Sequence, residues 1–81
     1  STQAFNPIAL EYVNVMNLKC NLDIHWSPNL SEESVLFMIQ NANPTSAITI
    51  TLHPNAYSRL AEDVDIVAAL EAQPLISLVS A

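Results

Sequence analysis

A chain of 81 residues makes one small domain, which buries only about 60–65% of its unfolded surface and needs either an unusually apolar core or outside help. A single cysteine, Cys20, excludes an intrachain disulfide, and His25 and His53 stand alone, with no Cys/His cluster of ligand spacing to form a metal staple. Two cations, Lys19 and Arg59, against eight carboxylates give a net charge of −6, which excludes a nucleic-acid binder and disfavours an anionic membrane surface.

In chain order, residues 1–7 are polar and aperiodic and read as an extended arm of the single domain spanning 1–81. Residues 10–16 read as a leading strand, with Leu10, Val13, Val15 and Asn17 in the L-x-x-V-x-V-x-N pattern of a leucine-rich-repeat strand. Residues 20–26 alternate again, with Cys20, Leu22, Ile24 and Trp26 on the apolar face and Asn21, Asp23 and His25 opposite. Cys20 is therefore expected to be buried, and Trp26 to favour the core over a role as an exposed anchor. Ser31 is a good N-cap for a helix reaching about Ala42, with Glu32 and Glu33 in the first turn. Leu30 and Val35 have hydrophobic-staple spacing, and Pro44 stops the helix.

Residues 47–53 give the clearest strand, β-branched and strictly alternating. Residues 54–61 suit a short helix opening on Pro54. Residues 63–73 suit another, capped by acids and buried through Ile66, Val67 and Leu70, before Pro74 and a last strand over 75–80. Glycine is absent, so Asn17, Asn21, Asn29, Asn41, Asn43 and Asn55 are the candidates for left-handed turns. The longest apolar run, residues 35–39, is far too short to span a membrane, and residues 1–8 lack the pattern of a signal peptide. The chain reads as a soluble piece trimmed from a longer precursor.

Three of these strands repeat in one frame. Cys20, Leu22 and Ile24 return 28 residues later as Ile48, Ile50 and Leu52, then as Ile76, Leu78 and Ser80. Leu36, Met38, Ile39 and Ala42 fall on Val64, Ile66, Val67 and Leu70. A period in the twenties with one strand and one helix per unit marks a solenoid of the leucine-rich-repeat kind. The expected fold is α/β: a small β-α-β-α-β unit with mainly parallel strands and an extra N-terminal strand.

No residue pattern announces catalysis, so the expectation is a non-enzyme with no cofactor and no metal. His25 and His53 sit one repeat apart and could form a weak metal or proton site, but both also suit polar strand ends. Asp23, His25 and Ser27 supply the residue types of a hydrolase triad, without the glycine that a nucleophile elbow needs. Residues 62–65 are acidic but lack calcium-loop spacing, and a capped helix start explains them better. Asn29-Leu30-Ser31 matches a glycosylation sequon, relevant only in a eukaryotic secretory setting. Phe37 and Leu36 lie off the main helix face and could form a contact patch or cover the sheet edge.

Residues 27–42, Ser-Pro-Asn-Leu-Ser-Glu-Glu-Ser-Val-Leu-Phe-Met-Ile-Gln-Asn-Ala, followed by Ala-Ile-Thr-Ile-Thr-Leu-His-Pro at 47–54, carry a resemblance. The chain resembles the C-terminal region of BspA-type leucine-rich-repeat proteins of gut Bacteroidota and of their phages, over roughly residues 10–81. The resemblance implies a surface, adhesion-like or virion-associated protein and no catalytic residues, hence an extracellular, cell-surface or phage-virion location. Together with an uncovered N-terminal edge, it leads to an expected structural and interaction module that assembles with itself or binds another protein. Leu10, Tyr12, Val13, Val15, Leu36 and Phe37 are the expected contacts. The alternatives are a C-terminal capping fragment of a larger adhesin-like binding protein and, less favoured by the residues, a small hydrolase.

Overall fold

The computed structural model describes residues 16–81. Their elements run β1 (Leu22–Ile24), α1 (Glu32–Gln40), β2 (Ile48–Leu52), α2 (Pro54–Leu60), α3 (Val64–Ala72) and β3 (Ile76–Ser80). All pairing is parallel in the order β1-β2-β3. Leu22 lies opposite Ile50 and Ile50 opposite Leu78, so the 28-residue period of the sequence is the register of the sheet. Strands stepping in one direction with crossovers of one hand place every helix on the same face. Accordingly α1 and α3 pack on each other, and α2 packs on β3.

Alternation decides which face is covered. Ile48, Ile50 and Leu52 of β2 are buried, while Thr49 and Thr51 are half-buried on the far side. Against the buried row sit Val35, Met38 and Ile39 of α1, Ala56 and Leu60 of α2, and Ile66 and Ala69 of α3. Ser31 caps α1 by accepting from the Ser34 N–H, and the staple residues Leu30 and Val35 are both fully buried. Helix α2 opens on Pro54 with the His53 ring accepting from the Asn55 N–H. Asp63 caps α3 by accepting from the N–H groups of Asp65 and Ile66.

Several expectations are corrected. Cys20 is exposed, because β1 begins only at Leu22. At the preceding register position the Asn21 side chain accepts from the Thr49 N–H at 2.9 Å, taking the place of a strand carbonyl, so Cys20 never reaches the core. Helix α1 ends at Gln40, although Ala42 beyond it stays buried. Val67, expected inside α3, is 39% exposed, and Ala69 takes the buried place beside Ile66. Trp26 is half-buried against the core rather than within it. Among the described residues only Asn17 has positive φ, at 57°. Residues 10–15 of the expected leading strand and the 1–7 arm lie outside the described residues, and Met16 is exposed outside any element.

Ile50 is the central residue of the buried row and is flanked on both sides. Ile50→Ala should lower unfolding stability by about 2–5 kcal/mol in denaturant titration, with the midpoint moving and the slope nearly unchanged.

Candidate functional site

The chemical groups expected to act together are held apart by local structure. Asp23 closes β1: its Oδ1 accepts from the backbone N–H of His25 at 3.0 Å and lies 2.7 Å from His25 Nδ1. This is an Asx turn, a standard way for an acid to end a strand. The side-chain and backbone hydrogen bonds from His25 hold the Asp23 carboxyl below its ordinary 3.8. Its contribution to stability is therefore present above that value and fades as pH falls through the lower folded titration. Ser27 is fully buried, whereas Asp23 and His25 are exposed, so the three do not form a triad open to a substrate. His53 begins α2 with its Nδ1 committed to Asn55, which makes it a helix cap.

The structure gathers a cluster that sequence patterning treats as two separate helix starts. Carboxylate oxygens of Glu32, Asp63 and Asp65 lie within 4.8 Å of one another. Glu32 is the first residue of α1, and Asp63 and Asp65 begin α3. The signal was present in the period: helices of successive parallel units start side by side, so acids at both starts must meet. Glu32 is held above its ordinary 4.5, first by its hydrogen bond to Asp63, then by partial desolvation and by the charges of Asp63 and Asp65. Asp63 Oδ1 is already occupied by two backbone N–H groups, and two helix N-termini present positive dipole ends here. Both facts favour carboxylates as caps over carboxylates as cation ligands.

Between α1 and α3 runs a groove of about 400 Å³, lined by Leu36 and Gln40 of α1, by Asp65, Ala68, Ala69 and Ala72 of α3, and by Gln73. Among the described residues that line it, Asp65 is the one titratable group. Of the residues expected to make contacts, Leu36 is half-buried in this groove and Phe37 is half-buried beside it on α1. Leu10, Tyr12, Val13 and Val15 lie outside the described residues. Contacts that sequence reading missed join the units through side chains. Arg59 Nη2 donates to the Pro28 and Leu30 carbonyls at 2.9 and 3.0 Å. Gln73 Nε2 donates to the Ile39 and Ala42 carbonyls at 3.2 and 3.0 Å.

Among the described residues no helix is long and apolar enough to cross a membrane. No family model matches the chain, and neither a curated protein nor a solved structure matches it.

Carboxyl NMR titration tests the cluster. Glu32 should titrate above 4.5 and Asp23 below 3.8. Asp63→Asn keeps a capping oxygen but removes a charge, so Glu32 should fall back toward its ordinary value while Asp23 stays put. The sign for stability is opposite to that at Asp23. A raised folded titration means stability contributed by Glu32 is present in acid and is lost as pH rises through it.

Proposed function

We propose that this chain is a non-catalytic structural and interaction module that assembles with itself through its N-terminal edge, as part of a surface or virion-associated protein. The observation that carries the reading is the in-register parallel stack, in which β1 pairs with β2 alone among the described residues. A parallel stack hides its apolar rows only by adding units, and an uncovered strand edge is a template for another chain. Leu22 on β1 is half-buried where its equivalent, Ile50, is fully covered. Met16 is exposed ahead of it, and Leu10, Tyr12, Val13 and Val15, outside the described residues, are the apolar side chains that the sequence offers for this contact. Phe37 is half-buried on α1 and is the helix residue assigned to this contact, whereas Leu36 is taken up by the groove against α3. The resemblance to BspA-type repeat proteins supports the surface or virion setting, and the few charges on the chain do little to deter pairing.

A second reading, a C-terminal cap of a larger adhesin-like binding protein, draws on one position. Ser80 is exposed in the row that holds Ile24 and Leu52, so the stack turns polar there, as a cap does.

Sedimentation velocity of the purified 81-residue chain separates the two. Assembly through the edge should give species larger than a monomer that grow with concentration, and Val13→Lys with Val15→Lys should return them to monomer. A folded chain that stays monomeric at the highest attainable concentration would discard self-assembly and leave the cap reading.

A further inference from the structure

We propose that copies of this chain stack head to tail, with the edge of β3 that is unpaired among the described residues and the outer side of α3 in one copy receiving β1 and α1 of the next. This rests on the self-assembly reading above and names the second surface, which that reading leaves open.

Equivalent positions in successive units differ in cover. Ile39 of α1 is 0% exposed, and its equivalent one period on, Val67 of α3, is 39% exposed. Ile50 of β2 is fully buried between Leu22 and Leu78, whereas Leu78 in β3 is half-buried with a partner on one side. Ala42 is buried, and its equivalent Leu70 is half-buried. Met38 and its equivalent Ile66 are both fully covered. Cover is lost at Val67, Leu70 and Leu78, the face that this arrangement assigns to the next copy, and is kept at Ile66 and Ile76. Ser80 is the exception along that face, and three apolar side chains remain beside it.

Backbone bonding gives the same direction. The Leu75 carbonyl accepts from the Ile48 N–H, and the Ala81 N–H donates to the Leu52 carbonyl, so odd-numbered residues of β3 face β2. In a parallel ladder the alternate residues bond on the opposite side, which turns the N–H groups of Leu78 and Ser80 toward the open edge. The period is constant from Leu22 to Ile50 to Leu78. The next strand in that series would place a leucine-like residue opposite Leu78, flanked by a helix start one short loop later. The β1–α1 unit of a second copy has this form, and among the described residues its own Leu22 has no strand neighbour on the matching side.

An edge-to-edge pairing of two β1 strands would be isologous and would stop at a dimer, leaving Val67, Leu70 and Leu78 bare. Head-to-tail stacking covers both ends and, being heterologous without closure, gives a filament.

The test uses the double variant Val67→Asp, Ser80→Pro, which places a charge and removes an outward N–H on the β3 end while sparing the N–H groups that bond β2. Circular dichroism checks its fold. Val67→Asp alone, at an exposed side chain, serves if proline disturbs the strand. Alone, either variant should associate at least about tenfold more weakly than the unmodified chain by sedimentation. Its intact β1 end should still add to the unmodified chain, so small amounts should shorten filaments seen by electron microscopy. Association undiminished in the variant would overturn the head-to-tail arrangement while sparing self-assembly. A monomeric variant that does not shorten the filaments would overturn it too, since β1 would then not be what β3 receives. An unmodified chain that never associates would remove both this arrangement and the reading beneath it.

Discussion

Everything in this fold hangs on one repeated alignment, the parallel pairing that sets Leu22, Ile50 and Leu78 side by side. Parallel pairing between consecutive strands demands a crossover long enough to hold a helix. Constant register then demands that successive crossovers be alike. From those two demands follow helices on one face, α1 against α3, and a core made of the inner row of β2 with the inward sides of three helices. The same alignment creates the difficulty. Ile50 is covered because a strand lies on each side of it, whereas Leu22 and Leu78 in the outer described strands are covered less.

Building such a stack without glycine shifts work from the backbone to side-chain amides. Helix ends usually hand their last carbonyls to a left-handed residue beyond the terminus. Here Asn41 and Gln73 close α1 and α3 at negative φ, −103° and −128°. Asn41 Nδ2 donates to the Phe37 carbonyl, and Gln73 Nε2 reaches across to the Ile39 and Ala42 carbonyls. Gln73 thus satisfies the end of the helix in the unit before its own. Arg59 does the same for the loop leading into α1, so the units are tied by polar struts as well as by apolar burial. Asn17 is the described position that takes the left-handed conformation, and its N–H meets the Asn41 carbonyl at 2.9 Å.

The parts of this structure legible in the sequence are those set by local physics and by the period. Strand β2, the caps Ser31 and Asp63, the staple of Leu30 and Val35, and the parallel register all follow from alternation, capping chemistry and the 28-residue repeat. The misreadings at Cys20 and Val67 share one cause. Periodicity says which face a residue points from, but not whether a neighbouring unit is there to cover it. Cys20 lies where β1 has not yet begun, and Val67 lies where no described unit follows. The asparagines were legible as turn formers, but their actual work as clamps and caps depends on carbonyls and amides brought in from other units. For the candidate surface, the apolar content of residues 10–15 speaks of one edge, while the loss of cover at Leu78 and Val67 emerges only when equivalent positions are compared in space.

The acidic meeting point of Glu32, Asp63 and Asp65 follows from the same geometry, and it limits how freely such units can be stacked. Each helix start favours an acid, for capping and for the dipole, when considered singly. Parallel units then bring those acids together, because their helices start on the same side of the sheet. Within the chain the conflict is eased: the Asp63 carboxylate is engaged by backbone N–H groups, and Glu32 holds its proton more tightly than an isolated glutamate. A further α1 laid beside α3 would bring another Glu32 and Glu33 toward the start of α3, adding to a charge already negative. Head-to-tail stacking is thus opposed at the helix starts and favoured along the strands and at Val67, Leu70 and Leu78. Screening by salt weakens the opposing part and leaves apolar burial intact, so the balance between separate chains and filaments should shift toward filaments as ionic strength rises.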